Sequence, residues 1–454
     1  MELQKLCIAI AGRTNTGKTT LIRTLMKTSI GEVSDSPNVT KRGQAYYFDS
    51  LQATFIDTPG FQYASVVVMY LDALAEDPDF QMPQKWQDKL TYDQDAMTAL
   101  DNSDAIIYVA NLSVVPDDSF NEELTIVRRK CSKVIAVINQ YEKQLKASSK
   151  PEVENRIKQW KAIFHNHSIN HVFTFDAHWD NPIKVNQIYD GILDILDLEQ
   201  RLRFVEGLKS FKERQADITQ EACNMLASLI KDCEEKAVET ISKGEFDKEE
   251  KLEEAKERVA RRINGALAEF VYCVSDLYKV AAEHPTTSKD ELRLLMQPKP
   301  NFSGRLGWGS GGAALLGAAA ALVSGLFGAV IMGILTGGVG AIPAALAWAQ
   351  IGGTAGAALG SLFVFIDDGD TVTIRINEEQ LKTLSVKGIA IIWGLSNNGY
   401  GRGRELSSEE SKDIEQKVFQ AQASSRELNF TNSNKIKILE YCERILDLLE
   451  RESI

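Results

Sequence analysis

Apolar positions along this chain change their pattern three times. Up to about residue 198, short and predominantly apolar runs alternate with segments of helical spacing. The runs are "KLCIAIAG" (residues 5–12), "ATFID" (53–57), "AIIYVANL" (105–112) and "KVIAVI" (133–138). Continuous apolar runs of strand length mark strands buried on both faces. Their alternation with helices predicts an α/β domain with a mostly parallel sheet and helices on both faces. From residue 198 to 282 the spacing is helical and the polar face heavily charged. Leu202, Val205, Leu208 and Phe211 form one stripe, and Val259, Ile263, Ala266, Phe270 and Val274 another, which predicts core packing in a helical bundle. Between them, "KGEFDKEEKLEEAKERVARR" reads as a solvated helix start laced with ion pairs.

The third pattern fills residues 306–366. No charged residue occurs there, over about three times the roughly 20 residues that a membrane-spanning helix needs. A turn-like centre, "TGGVGAIP" (336–343), divides the run in two. Small residues recur at every fourth position: Gly317, Ala321, Gly325, Ala329 and Gly333, then Ala341, Ala345, Ala349, Gly353, Ala357 and Ser361. Such ridges let helix backbones meet closely in lipid. The expectation is a hydrophobic helical hairpin in a membrane, permanently or conditionally; the alternative is a hairpin tucked inside the helical region. Lys289, Arg293, Lys299 and Arg305 upstream favour a cytoplasmic flank. Beyond the run, "DTVTIRI" reads as a strand, and "KGIAIIWGLSNNGYGRGRE" as a second strand followed by a loop with Arg402 and Arg404. "SSEESKDIEQKVFQAQ" opens like a capping box. "KIKILEYCERILDLLERE" is an amphipathic helix whose Ile438, Cys442, Ile445 and Leu449 face suits core or partner contact.

Composition changes this picture at a few points. With 454 residues, 44% apolar and 25% charged, the chain suits several domains with ample core. Its net charge of −12, with no dense Lys/Arg block, argues against a nucleic-acid partner. Six cysteines are scattered without a CxxC pair, which fits a reducing, intracellular setting. The N-terminus runs into a strand with no secretory pattern. His167 and His171 have HxxxH spacing, but no glutamate follows the first histidine as in HExxH, so metal binding is not expected there.

Chemistry concentrates in the first domain. After the strand at residues 5–12 comes "GRTNTGKTT" and then a helical "LIRTLM", so Gly12, Gly17, Lys18 and Thr19 match GxxxxGK[ST] between a strand and a helix. The glycines let backbone N–H groups curl around phosphates, and the helix start adds partial positive charge. Lys18 would neutralise the β/γ oxygens and the Thr19 hydroxyl would hold Mg²⁺. "DTPG" at 57–60 ends another strand. Asp57 would hold the metal through water, and the Gly60 N–H would sense the γ-phosphate. Thr40, in the polar "SPNVTKRG", is placed to close over Mg²⁺ only when the γ-phosphate is present. Thr19, Thr40 and Asp57 together describe a switch GTPase rather than a generic ATPase.

"GRTNTGKTTL", "PNVTKR" and "DTPG" resemble the GRPNVGKSTL, PGVTRD and DTPG motifs of the Era/EngA/TrmE class of GTPases, over roughly the first 200 residues. Thr14 and Thr16 depart from that pattern, standing where proline and valine are usual. The resemblance implies a P-loop GTPase fold that binds GTP/GDP and Mg²⁺. Gly12, Asn15, Thr16, Gly17, Lys18, Thr19 and Thr20 would then line the phosphates, with Lys18, Thr40 and Gly60 serving hydrolysis. The base site departs further. "NQYE" stands where NKxD is usual, so Asn139 ties the loop to the P-loop, Glu142 accepts from guanine, and Gln140 replaces the covering lysine. Asp176, Ala177 and His178 stand where the class has SAK. Asn15 is a candidate potassium ligand by the same resemblance, and ordinary loop capping is its bland alternative. Phe61 replaces the water-positioning glutamine of Ras-like proteins, so turnover is expected to be slow without a partner, a homodimer or a cation. The insert between Gly60 and the next strand, "YASVVVMYLDALAEDPDFQMPQKW", is either a switch-driven effector surface or a packed surface helix.

The whole arrangement resembles a bacterial family of GTPases with a glycine-zipper hydrophobic segment in the C-terminal half. The expected organisation is a GTPase domain at 1–198, a helical domain at 199–300, the hairpin at 301–366 and a small α+β part at 367–454. The expected function is a GTP switch coupled to a membrane-associated hairpin in a protein of the cytoplasm and inner membrane, with lipid and a protein partner. A nucleotide-stabilised scaffold and a GTP-gated pore-forming effector are the alternatives.

Overall fold

A computed structural model of the chain describes residues 6–27, 43–177, 182–283, 363–397 and 408–452. These divide into two compact units, one built mainly from residues up to Arg214 and the other mainly from Gln215 onward.

The first unit is a six-stranded sheet in the order β2-β3-β1-β4-β5-β6. Its strands are β1 (Leu6–Ala11), β2 (Gln44–Phe48), β3 (Ala53–Asp57), β4 (Ala105–Asn111), β5 (Val134–Asn139) and β6 (Val172–Thr174). Only β2 is antiparallel to its neighbour; the pairs β3–β1, β1–β4, β4–β5 and β5–β6 are parallel. The connecting helices are α1 (Lys18–Met26), α2 (Ala64–Glu76), α3 (Gln84–Gln87), α4 (Thr91–Asp101), α5 (Asp118–Lys130), α6 (Tyr141–Ala147), α7 (Lys150–Asn166) and α8 (Pro182–Ile195).

Alternation along the strands divides the core into two layers, as the apolar runs predict. Ile8, Ile10, Ile107, Val109, Ile135 and Val137 pack with α1 and α8. Ala9, Ile106, Tyr108, Ala136 and Ile138 pack on the opposite face with residues of α4, α5 and α7. The central strands β1, β4 and β5 are thus buried on both faces, which is why their sequences are almost entirely apolar.

Helix α9 (Leu198–Glu235) begins against the first layer, where Phe204, Leu208 and Phe211 are buried. This corrects the expected stripe: Leu202 and Val205 are exposed, at 62% and 47%. The packed face is instead set by Gly207, whose missing side chain lets the helix approach the 3-10 turn Asp49–Leu51. A Cβ there would lie 2.1 Å from the Leu51 carbonyl oxygen.

In the second unit, β7 (Glu239–Ser242) and α10 (Lys243–Phe246) interrupt what the charge pattern presents as unbroken helix, before α11 (Glu249–Glu283). Glu239 on β7 holds Arg258 and Arg262 of α11 at 2.8 and 2.7 Å. The expected ion-pair lacing of the α11 start is present, for example Lys251–Glu254 at 2.9 Å. Val259, Ile263, Phe270 and Val274 form its buried face. Strands β8 (Phe363–Asp367) and β9 (Thr371–Ile376) complete an antiparallel sheet in the order β7-β9-β8. The last four residues assigned to the hydrophobic hairpin, 363–366, therefore lie in β8, paired with β9.

Helices α12 (Glu378–Asn397), α13 (Ser408–Ser424) and α14 (Lys435–Glu452) end the chain. The run "KGIAIIWGLSN", expected as a strand, belongs to α12. A continuous apolar run is ambiguous between a buried strand and a buried helix. Here Ser385 through Ser396 are almost all buried, so the helix is enclosed rather than amphipathic. Gly388 gives it close contact with α9, since a Cβ there would meet Leu226 Cδ1 at 2.2 Å. The α14 face Ile438, Cys442, Ile445 and Leu449 is buried, as its spacing predicts. Arg402, Arg404 and the charge-free residues 306–362 lie outside the described residues. Among the described residues, no helix is long and apolar enough to cross a membrane.

Candidate nucleotide site

The loops at the C-terminal ends of β1, β3 and β5 converge, the usual place for a ligand in an open parallel sheet. The loop after β1 turns through Gly12 at φ 134° and Gly17 at φ 90°, left-handed values that favour glycine. Space requires glycine there as well. A Cβ on Gly12 would lie 2.3 Å from the Val109 carbonyl oxygen, and one on Gly17 would lie 2.4 Å from Asn139 Nδ2. Gly17 is the N-cap of α1 and offers no side-chain cap, so the first-turn amides keep their donor capacity for an anion.

Lys18 is buried and its ammonium donates to the Gly12 and Arg13 carbonyls, both at 2.9 Å. Burial pulls its pKa down, opposed by the attraction of Asp57 and Glu123. The Thr19 hydroxyl donates to Asp57 Oδ2, which joins the P-loop helix to the end of β3. A hydroxyl and a carboxylate brought together are hard oxygen donors of the kind Mg²⁺ takes, so the residues fit that ion. Thr58 fastens the same junction, its hydroxyl donating to the Ile10 carbonyl at 2.8 Å. Gly60 packs directly on the P-loop, where a Cβ would lie 2.7 Å from the Thr14 amide nitrogen. Thr16 and Thr20 are buried, and the Thr16 hydroxyl donates to the Arg13 carbonyl at 2.9 Å. Thr40 lies outside the described residues.

Asn139, at the end of β5, is buried and uses both ends of its amide. Its Nδ2 donates to the Thr16 carbonyl at 2.8 Å, and its Oδ1 accepts from the Ala177 N–H at 2.9 Å. Gln140 adopts φ 69° and its Nε2 donates to the Asn15 carbonyl at 3.3 Å. Asn15 is exposed, with φ 62°. Glu142 opens α6, half-buried. Asp176 lies beside these residues, but its carboxylate accepts from the Glu142 and Lys143 N–H groups at 3.0 and 3.4 Å, capping α6. His178 lies outside the described residues.

Two buried carboxylates of the helices around the site, Glu123 and Asp93, escape the motifs. Glu123 of α5 accepts from Arg13 Nε at 2.5 Å and from the Tyr108 hydroxyl at 3.0 Å. Arg13 also donates to the Ser119 hydroxyl and lies over the Phe120 ring at 3.6 Å, so the P-loop is clamped to α5. Burial raises the Glu123 carboxyl, while Arg13 and Tyr108 pull it back. Asp93 of α4 is fully buried and accepts from the Gln62 and Tyr63 N–H groups at 2.9 and 3.0 Å, just beyond DTPG. Burial raises its carboxyl too, against those two hydrogen bonds. A signal for both exists in the sequence. Each carboxylate falls on its helix's apolar stripe, Asp93 with Leu90, Met97 and Leu100, and Glu123 with Phe120, Leu124 and Val127.

The insert after DTPG packs by one face and leaves the other, with residues 75–81, exposed. Val67 is buried and Val66, Tyr70, Leu71, Trp86 and Phe61 lean on the second core layer, while Met69 stays 69% exposed.

The model of the family described as 50S ribosome-binding GTPase matches residues 7–146. GTPase Era of Deinococcus deserti is 26% identical over 210 residues, covering 46% of this chain and 60% of the relative. A probable GTP-binding protein EngB of Lactobacillus delbrueckii subsp. bulgaricus is 44% identical over 62 residues, covering 13% of this chain and 31% of its own. This chain therefore spans less than two thirds of the curated relatives it matches. A solved structure of Era in complex with MgGDPNP and nucleotides 1506–1542 of 16S ribosomal RNA is 18% identical, with a TM-score of 0.30, covering 49% of this chain and 68% of that one.

Proposed function

We propose, from the premise that the N-terminal domain is an Era-like P-loop GTPase domain, that the chain binds GTP and GDP and hydrolyses GTP slowly as a switch. The observation that carries this is the junction of Lys18, Thr19 and Asp57 at the glycine loop, with Asn139 binding the base-side loop to Thr16. Mg²⁺, when bound, would neutralise charge on the β- and γ-phosphate oxygens, with Thr19, Asp57 and Thr40 to hold it. Lys18 stands ready to exchange its loop carbonyls for phosphate oxygens. Gly60 lies against the loop where a γ-phosphate would be sensed. Phe61 supplies no group to orient water, so the chain depends on electrostatics for its rate. Glu142 would accept from guanine N1–H and N2–H, and Asn15 would help hold potassium near the phosphates.

The test is turnover and nucleotide affinity of the full chain. Lys18→Ala should lower kcat by about a hundredfold or more, as loss of one preorganised charge at a reacting centre does. Glu142→Ala should reduce the preference for GTP over ATP by about tenfold or more. Replacing KCl by NaCl should slow the wild type. Absence of guanine-nucleotide binding by the wild type would end the proposal.

Residues 306–362, the part of the charge-free run that precedes β8, are proposed to attach the protein to a membrane. The support is the charge-free run with its small-residue ridges, interrupted at its end by β8. No RNA partner is proposed, because the chain's net charge is −12 and no basic block is present in it.

A further inference from the structure

The segment leaving DTPG has a receiver built from the insert, and its centre is Asp93. Fully buried on α4, this carboxylate has spent one oxygen on the Gln62 and Tyr63 N–H groups at 2.9 and 3.0 Å. Its other oxygen, Oδ2, is buried with no hydrogen-bond partner among the described residues. Leaving a buried carboxylate half-satisfied is costly and needs a compensating role. The surroundings repeat the same gesture. The Tyr63 ring meets Trp86 of α3 edge-on at 6.2 Å, and Phe61 leans into the core layer beside α4. Tyr63 is the N-cap of α2 and has no side-chain cap of its own, so Asp93 also sits at the positive end of that helix. On the other side of these two residues, Gly60 is wedged against the Thr14 amide of the P-loop.

We infer that Asp93 is the positioning residue of the DTPG loop: by fixing the Gln62 and Tyr63 amides it keeps Gly60 seated against the phosphate-binding loop. The inference rests on the GTPase reading above and gives the insert a task within it. Asp93 touches no nucleotide. It acts through the two peptide units that follow Gly60 and Phe61, so it governs the rate of hydrolysis and leaves the affinity for GDP alone.

The experiment uses the full chain carrying Asp93→Ala, Asp93→Asn or Gln62→Pro. Asn keeps an acceptor oxygen of the same reach. Gln62→Pro removes one donor and sets the ring Cδ against the Asp93 carboxylate without emptying the buried site, so it breaks the same contact should Asp93→Ala fail to fold. Asp93→Ala should lower single-turnover kcat about tenfold or more, as a small misplacement of a reacting group does, with the GDP Kd within about twofold. Asp93→Asn should restore kcat to within about threefold, and Gln62→Pro should be about as slow as Asp93→Ala. Hydrogen exchange at the Gln62 and Tyr63 amides should accelerate about tenfold in Asp93→Ala and little in Asp93→Asn. Unchanged kcat in both Asp93→Ala and Gln62→Pro overturns the inference. So does a parallel loss of kcat and GDP affinity, or an Asp93→Asn protein as slow as Asp93→Ala. A wild type that hydrolyses no GTP removes the GTPase reading instead, and the exchange rates still decide whether Asp93 holds the segment.

Discussion

Glu123 shows how a single side chain far from any motif conditions the phosphate loop. It is buried, it answers Arg13 at 2.5 Å, and Arg13 is one step along the loop from Gly12. Glu123→Ala leaves the guanidinium without its carboxylate and should cost about 3 kcal/mol, the lower end for breaking a buried pair because Arg13 is partly exposed. Urea denaturation measures this; a loss below about 0.5 kcal/mol, the scale of ordinary surface substitutions, would contradict the clamp. Asp93 makes a different prediction, in pH. Burial raises its folded pKa above the unfolded value, so the folded state takes up the proton first on acidification. Its contribution to stability is then fullest below the unfolded value and is lost as pH rises through the folded one. The Tm of wild type should gain on that of Asp93→Asn as pH falls from about 7 to about 4. At this scale the motif residues were legible and their supports were not. Phosphate chemistry demands Gly, Lys and Thr at fixed local spacing, whereas the Arg13–Glu123 and Asn139–Thr16 contacts join positions 110 and 123 residues apart.

Among elements, strands β1, β3, β4 and β5 followed from the apolar runs because burial leaves little other composition open to them, whereas the mostly exposed β2 and the short β6 carry no such run. Helix α12 did not, because enclosure by other helices yields the same uninterrupted apolar run. Strand β7 was hidden for another reason: four residues between two long charged helices carry too little period to register. The glycines of the long helices give an opposed pair of predictions. Gly207 of α9 has the Leu51 backbone in its way, and Gly207→Ala should destabilise the protein by about 1–3 kcal/mol despite alanine's better helix propensity. Gly265 of α11 is exposed, with nothing within 4 Å of an added Cβ. Gly265→Ala should therefore stabilise by about 0.5–1 kcal/mol. Thermal unfolding of the two variants, side by side, would contradict this account if both moved the same way.

For the whole molecule, the boundary of the charge-free run matters to any deletion. Residues 363–366 pair with β9, so removal of residues 306–366 would strip an edge from the second unit's sheet. Deleting 306–362 and bridging with a short polar linker keeps β8. That protein should lose membrane sedimentation while retaining wild-type GTP turnover. Retained sedimentation would refute the proposed attachment.

Asn139 carries one more implication. A single buried amide grips the Thr16 carbonyl with one end and the Ala177 N–H with the other. On the proposed nucleotide reading, whatever orders the Thr16 side of the cleft also prepares the Ala177 side, and the reverse. Such a bridge predicts that guanosine and pyrophosphate, offered as separate molecules, bind with positive cooperativity, each tightening the other by the same factor. In Asn139→Ala that mutual factor should collapse toward one, even where each fragment still binds. Calorimetric titration of one fragment at saturating concentrations of the other would read it directly.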